Sequence, residues 1–145
     1  MIKKIDHIGV AVLDADRALA TFRDALGLRL DQIEEIPSQG LVAYHLEVGE
    51  SHLELLHPME EDSVIGKYLA KKGPGVHHVA LQVDDIIAER DRLEAAGFEP
   101  LSPEPFKGAH GKLVLFFHPR TTGGMLLEIC QIANEQEPMD SEDKT

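Results

Sequence analysis

The chain has 145 residues, enough for one domain of ordinary size, and its single cysteine cannot form a bridge within the chain. A formal net charge of −12 argues against a nucleic-acid partner, because phosphate binding relies on clustered lysine and arginine. No apolar run approaches the roughly 20 residues that a membrane-spanning helix needs, and residues 1–4 do not begin a cleavable leader, so we expect a cytoplasmic protein.

The chain opens with an alternating strand and a helix, and this pair recurs in the second half. Residues 5–28 (IDHIGVAVLDADRALATFRDALGL) resemble residues 76–98 (VHHVALQVDDIIAERDRLEAAGF), with one residue fewer in the second copy. Each copy contains an Asp that can cap a helix and a Gly that can end it. These residues are Asp14 and Gly27 in the first copy, and either Asp84 or Asp85 and then Gly97 in the second.

Three strand-like runs follow each helix, so the repeated module is β-α-β-β-β. The runs lie at 28–36, 41–48 and 51–58 in the first copy and at 98–102, 112–119 and 124–131 in the second. Between the copies, Ser63 can cap a short helix that Gly73 would end.

This pattern predicts an α+β fold in which two tandem βαβββ modules form a curved, partly closed β-sheet cleft. We expect a single domain over residues 1–131, with modules at about 1–60 and 75–131 and a linker helix at about 63–72. Residues 132–145 lack apolar periodicity and are predicted to be a mobile acidic tail.

The first strand of each module carries a histidine on the face that lacks bulky side chains. Because side chains alternate across a strand, His7 shares a face with Gly9, and His78 shares a face with Ala80. The opposite, β-branched faces should pack against the helices. A histidine among small residues suits a cavity, whereas His77 faces the other way and is interpreted as a packing or surface residue.

The last strand of each module carries a glutamate among apolar residues, Glu54 in the first and Glu128 in the second. A carboxylate in such a strand is costly to desolvate unless it is paired or bound to a metal. Two imidazoles and two carboxylates can coordinate a divalent cation and leave positions open for substrate oxygens. Recurrence in the repeat therefore predicts a metal site formed by His7, Glu54, His78 and Glu128. The other histidines have no counterpart in the repeat, and only His110 is kept as a candidate.

The duplicated pattern resembles the vicinal-oxygen-chelate superfamily, which includes glyoxalase I and extradiol dioxygenases, and within it the methylmalonyl-CoA epimerase family. The resemblance is carried by DHIGVAV at 6–12, PSQG at 37–40, ELLHP at 54–58, GVHHVALQVDD at 75–85, KGAHGK at 107–112, HPRTTGG at 118–124 and LLEICQ at 126–131. It implies an enzyme that interconverts (2R)- and (2S)-methylmalonyl-CoA by removing and returning an α-proton through a metal-stabilised enolate.

The resemblance also implies which residues bind the metal. His7, His78 and Glu128 match the family's metal positions, and Glu54 matches a position where some epimerases have glutamine. The implied cofactor is a divalent ion, with Co²⁺ first and Mn²⁺, Zn²⁺ or Ni²⁺ also compatible with the mixed donors. The implied partners are an acyl-CoA substrate and a second copy of the chain in a homodimer.

Proton transfer is less completely defined by the resemblance. Glu128 is the first candidate for the catalytic base, while Ala43 stands where some family members have a glutamate proposed as a base. The second group stays open among Glu54, His110 and a metal-bound water. The CoA portion is expected near Lys107, Lys112 or Arg120.

Three other functions fit the same scaffold. The first is a lactoylglutathione lyase of the glyoxalase I type, which also forms an enolate at a metal. The second is an extradiol dioxygenase, against which the fourth ligand Glu54 counts. The third is a non-catalytic protein that binds a small molecule, which has no need of two carboxylates in apolar strands.

Overall fold

The computed structural model describes residues 1–132, so the predicted tail lies, apart from Ile132, outside the described residues. The first half contains β1 (Ile2–Ala11), α1 (Ala15–Leu19), β2 (Arg29–Ile36), β3 (Leu41–Val48) and β4 (Ser51–Pro58), and is followed by α2 (Val64–Lys72). The second half contains β5 (Gly75–Val83), α3 (Ile86–Ala95), β6 (Phe106–Lys107), β7 (Leu113–Phe117) and β8 (Leu127–Gln131). Helix α1 continues as a π-helical segment, Ala20–Ala25, and short 3-10 turns lie at Pro37–Gln39, Ala109–Gly111 and Pro119–Thr121. Among residues 1–132, no helix is both long and apolar enough to cross a membrane.

All eight strands form one curled sheet in the order β2-β3-β4-β1-β5-β8-β7-β6. In each half the first strand pairs in parallel with the last, β1 with β4 and β5 with β8. The two halves join at the centre of the sheet, where β1 pairs antiparallel with β5. The predicted α+β fold of two βαβββ modules in a curved sheet is confirmed, and the two histidine-bearing strands are neighbours.

The helices lie against the bulky faces of the strands, as alternation predicts. Val12 packs with Leu19 of α1, and Val83 packs with Ile86 and Leu93 of α3. Helix α2 packs instead on the face that carries His7, in an apolar cluster whose members are Ala11, Leu41, Ala43, Leu56, Ile65 and Leu69. Burying these clusters drives sheet and helices together, and α2 closes one end of the cleft.

The strand predicted at residues 98–102 is wrong. Only a single bridge, Pro100 with Phe117, forms there, and the short edge strand β6 follows at Phe106–Lys107. Proline lacks the N–H that a strand donates to its neighbour, and three prolines lie between residues 100 and 105. The edge strand β6 therefore begins only after the last of these prolines.

The helix ends follow the predicted chemistry. The side chain of Asp14 accepts a hydrogen bond from the N–H of Arg17, and that of Asp85 accepts one from Ala88, each at 3.1 Å. Of the two aspartates that could cap α3, Asp85 is thus the N-cap, and Asp84 bonds to the N-terminal ammonium group instead.

This difference between adjacent aspartates can be tested by unfolding. Asp85→Ala should lower the free energy of unfolding by about 1 kcal/mol, the usual effect of losing an N-cap. Asp84→Ala loses an exposed ion pair and should have a smaller effect. Chemical denaturation of both variants measures the difference, and equal effects would contradict the assignment of the cap.

Candidate active site

The histidines of the two first strands meet at the centre of the sheet. The Nε2 atoms of His7 and His78 lie 3.0 Å apart. Oε1 of Glu128, on β8, lies 3.4 Å from Nε2 of His7 and 3.3 Å from Nε2 of His78. All three side chains are buried. The structure therefore brings together three of the four predicted metal ligands in one cluster.

The spacing and chemistry of these atoms suit a metal ion. Ligand atoms about 2.1 Å from a common ion lie roughly 3.0–3.4 Å from their neighbours in octahedral or tetrahedral geometry. The observed separations of 3.0, 3.3 and 3.4 Å fall in this range. Two facing Nε2 atoms and a carboxylate oxygen also offer several lone pairs and few hydrogens between them. A divalent cation would satisfy all three atoms at once.

Gly9 makes this convergence sterically possible. It lies opposite His78 in the pairing of β1 with β5. A Cβ atom at this position would overlap the imidazole ring of His78. Gly9, the small residue on the same strand face as His7, thus leaves the space that the ring of His78 occupies. The sequence predicted that this face lines a cavity.

The fourth predicted ligand, Glu54, lies beside this cluster on β4. Its Oε2 atom is 3.3 Å from Nδ1 of His7 and 3.4 Å from Nδ1 of His45. The side chain thus lies on the Nδ1 side of the His7 ring, and the three-residue cluster does not include it. The assignment of Glu54 as a ligand stays a prediction.

Asp6 is a further buried carboxylate, which the sequence pattern did not single out. In a regular strand Asp6 and His7 would face opposite sides, but the pairing of β1 with β5 shifts register between Ile5 and His7. Oδ2 of Asp6 lies 2.7 Å from Nδ1 of His7. The carboxylate also accepts hydrogen bonds from Lys112 at 2.7 and 2.9 Å and from Gln82 at 3.0 Å.

These groups give the site an excess of negative charge. Asp6, Glu54 and Glu128 are each at most 4% exposed. With neutral imidazoles, three carboxylates against the ammonium group of Lys112 leave two negative charges, which a divalent cation would balance.

The pKa values reflect the same imbalance. Burial lowers the pKa of His7, but hydrogen bonds to Asp6 and Glu128 and the charge of Glu54 outweigh it and raise the pKa to about 10. Burial raises the pKa of Glu128, but the contacts with His7 and His78 outweigh it and lower the pKa to about 2. Glu128 is therefore ionised at neutral pH, and a metal ion at Nε2 of His7 would take the place of a proton.

The prediction that His77 faces away from the site is wrong. The pairing passes from Gly9 opposite His78 directly to Val10 opposite Val76, so His77 is the extra residue of an irregularity and alternation fails there. His77 lines the cavity, and its Nδ1 lies 2.9 Å from Nδ1 of His78. Burial and the neighbouring His78 lower the pKa of His77 to about 4, so its ring is neutral at pH 7.

A second polar cluster lies on the far side of Glu54. His45 is fully buried, and its Nε2 lies 3.0 Å from Oε1 of Glu34. The ring of His110 stacks on His45 with centroids 4.1 Å apart, and its Nε2 lies 2.7 Å from Oε1 of Gln32. His45 has no counterpart in the sequence repeat, so the sequence does not indicate it as a site residue. The pairing of β2 with β3 brings Glu34 into contact with it.

A cavity of about 330 Å³ opens beside the cluster of His7, His78 and Glu128. His7, His78, Glu54 and Glu128 all line it. Most of the remaining wall is apolar and comes from both halves, through Ile36, Leu41, Leu56, Val64, Ile65, Leu101, Phe106, Val114, Phe116 and Leu126. The cavity therefore suits a small acyl group whose polar end faces the carboxylates and imidazoles.

The cations expected near CoA lie at different places in the structure. Lys112 lines the cavity but bonds to Asp6, and the guanidinium group of Arg120 lies 2.8 Å from Glu99 on the surface. Lys107 lies on the edge strand β6.

Comparison with known proteins identifies the family. Residues 6–116 match the family model of the glyoxalase/bleomycin resistance protein/dioxygenase superfamily. The chain belongs to this superfamily. It is 40% identical over 134 residues to an ethylmalonyl-CoA/methylmalonyl-CoA epimerase of Cereibacter sphaeroides. The aligned residues cover 91% of this chain and 100% of that protein.

Solved structures of superfamily members agree with this relationship. Methylmalonyl-CoA epimerase from Mycobacterium tuberculosis superposes with a TM-score of 0.87 at 33% identity, covering 92% of this chain and 91% of that one. A methylmalonyl-CoA epimerase in complex with methylmalonyl-CoA and NH4+ gives a TM-score of 0.87 at 35% identity, with 95% and 100% coverage. The resemblance found in the sequence is thus confirmed.

The role of Gly9 provides a test of the cluster. In Gly9→Ala the new methyl group should displace the ring of His78 and lower the affinity for a divalent ion by a factor of roughly 10 or more, as when a metal ligand is misoriented. Competition with a chromophoric chelator for Co²⁺ measures this affinity.

Val10→Ala is the matched control, because Val10 lies on the opposite face and packs with the cluster around α1. It should reduce stability but leave the affinity unchanged. An unchanged affinity in folded Gly9→Ala would contradict the proposed convergence of the two histidines.

Proposed function

We propose that this protein is a metal-dependent methylmalonyl-CoA epimerase that inverts C2 of the acyl group by removing one α-proton and returning one to the opposite face. The observation that carries the proposal is the pair of buried carboxylates, Glu54 and Glu128, which line one cavity from equivalent strands of the two modules. The family relationship supports the same reaction, since both the relative from Cereibacter sphaeroides and the solved structures bear the name of this activity.

In this proposal His7, His78 and Glu128 hold a divalent ion, with Glu54 as the predicted fourth ligand. When bound, the ion would act as a Lewis acid that stabilises negative charge on the thioester oxygen. The mixed nitrogen and oxygen donors suit Co²⁺, which we propose first, and also Mn²⁺, Zn²⁺ or Ni²⁺.

Inversion requires a proton-transfer group on each face of the planar intermediate. Glu128 is proposed as one group, since it lines the cavity from β8, and it would act through the carboxylate oxygen that does not bind the ion. Among the groups left open by the sequence, Glu54 is proposed as the other, because it lines the same cavity from β4. In each turnover one of the two carboxyl groups would accept the α-proton as the carboxylate, and the other, as the carboxylic acid, would donate a proton to the opposite face. The ring of His110 is engaged with His45 and Gln32 instead. Ala43 lies in the apolar cluster under α2 and offers no proton.

The cavity walls support an acyl thioester as substrate. Val64, Leu101 and Phe106 line the cavity and are also 68%, 53% and 38% exposed, so they form its mouth. The acyl group would lie inside against the polar cluster, and the CoA arm would leave over these apolar side chains.

The proposal includes two further features, of which the first rests on the family resemblance and the second on the sequence. One is a homodimer, which light scattering combined with size-exclusion chromatography would test. The other is a cytoplasmic location, with which the buried free thiol of Cys130 is compatible.

The activity itself is tested by isotope exchange. In deuterated water the protein should incorporate deuterium at C2 of methylmalonyl-CoA and convert either epimer into the other, because proton removal at this carbon is the whole reaction. A chelator should stop both processes, and a divalent ion should restore them. Turnover of the methylglyoxal–glutathione adduct without exchange of methylmalonyl-CoA would favour the lactoylglutathione lyase. Binding of the thioester without either reaction would favour a non-catalytic binding protein.

The roles of the two carboxylates are separated by a matched pair of variants. Glu128→Gln and Glu54→Gln each keep an oxygen donor but cannot accept a proton, so each should lower inversion by a factor of roughly 100 or more. Each variant should still exchange the α-hydrogen of one epimer, through the carboxylate that remains, and the two variants should prefer opposite epimers.

Metal content must be measured alongside, since loss of the ion would mimic loss of a base. Near-normal inversion by metal-loaded Glu128→Gln would show that Glu128 is a ligand only. Loss of exchange for the same epimer in both variants would contradict a role for Glu54 on the opposite face.

A further inference from the structure

Of the three buried carboxylates at the site, Asp6, Glu54 and Glu128, only Asp6 has no role in the proposed reaction. It is buried, and each of its oxygens accepts two hydrogen bonds. Lys112 bonds to both oxygens, Gln82 to Oδ1 and His7 to Oδ2. These four contacts occupy the acceptor sites of the carboxylate, and the one with His7 points to a role through that residue.

The contact with His7 determines which ring nitrogen carries hydrogen. A carboxylate only accepts hydrogen bonds, so Nδ1 of His7, at 2.7 Å from Oδ2, is the donor. In a neutral imidazole the other nitrogen, Nε2, then presents its lone pair. Nε2 is the atom that faces His78 and Glu128.

Asp6 is itself held from the other half of the molecule. Lys112 belongs to the loop before β7 and Gln82 to β5, so both partners come from the second module while Asp6 and His7 lie on β1. A carboxylate with charged and neutral donors on both oxygens cannot turn away from His7 without breaking a buried ion pair, which is strongly unfavourable.

The second histidine of the cluster is held differently. Nδ1 of His78 lies 2.9 Å from Nδ1 of His77, another imidazole nitrogen, which can accept or donate depending on its tautomer. The two halves therefore supply equivalent histidines whose Nδ1 atoms have different partners. A carboxylate contacts Nδ1 of His7, whereas an imidazole contacts Nδ1 of His78.

We propose that Asp6 is the positioning residue of the metal centre, holding His7 with Nδ1 protonated and Nε2 free, with Lys112 and Gln82 holding Asp6 in turn. This inference rests on the proposed metal site and adds a residue that does not touch the ion. Partners of this kind usually change metal affinity by roughly 10- to 100-fold when they are removed.

The test compares Lys112→Gln with the double variant Asp6→Asn/Lys112→Gln. The double variant replaces the ion pair with two amides, so that no unpaired charge is left buried, whereas the single variant keeps the carboxylate beside His7. Zinc affinity is measured at fixed pH by competition with a chromophoric chelator. We expect the double variant to bind Zn²⁺ roughly 10- to 100-fold more weakly than Lys112→Gln.

A second readout follows the ring of His7 directly. Imidazole ¹⁵N NMR of the zinc-loaded protein should show Nδ1 of His7 protonated in Lys112→Gln, with that signal shifted or lost in the double variant, because an amide can also donate to Nδ1. Glu89→Gln is the remote control. It alters a buried carboxylate paired with Arg92 on α3 and should leave zinc affinity and the His7 signals unchanged.

The outcomes separate this inference from the proposal on which it rests. Equal zinc affinities in Lys112→Gln and the double variant, with a binding wild type, would overturn the role of Asp6 and leave the metal site intact. If the wild type binds no zinc, the metal site falls and the inference falls with it.

Discussion

The antiparallel pairing of β1 with β5 is the contact on which the rest of the site depends. It joins the two modules at the centre of the sheet and brings Nε2 of His7 to 3.0 Å from Nε2 of His78. The parallel partner of β5 then supplies Glu128. Gly9 leaves the space that this meeting requires, since a larger residue there would occupy the position of the His78 ring. Neither module could form the cluster alone.

Charge is the second constraint. Three buried carboxylates around two imidazoles would be costly to fold unless each charge is compensated. Lys112 and one hydrogen bond from Gln82 compensate the charge of Asp6, whereas Glu54 and Glu128 face histidines and the cavity. The unbalanced charge thus lies where a divalent ion and an acyl group would meet. The same arrangement brings two carboxyl groups, Glu54 and Glu128, to the wall of one cavity, where they could accept and donate protons.

Much of the fold and of the candidate site could be predicted because the βαβββ module is repeated in the sequence. The repeat and its alternation identified the fold, the helix caps and the meeting of His7, His78 and Glu128. Two of the differences, at Asp6 and His77, share a physical cause, which is that alternation fails where the strand pairing changes register. Register shifts in β1 and β5 turn Asp6 and His77 towards the site, and a single sequence does not reveal them. The contact of His45 with Glu34 depends on the pairing of two strands, and the prolines after residue 98 outweighed a strand-like pattern. The position of Glu54 as a ligand is still a prediction.

We propose that one divalent ion binds where the two modules meet. The most direct measurement is anomalous X-ray diffraction from crystals of the protein loaded with Co²⁺. We expect an anomalous peak within about 2.0–2.2 Å of Nε2 of His7, Nε2 of His78 and an oxygen of Glu128. A peak at the cluster of His45, His110 and Glu34 instead, or no ordered ion in cobalt-loaded crystals, would contradict it.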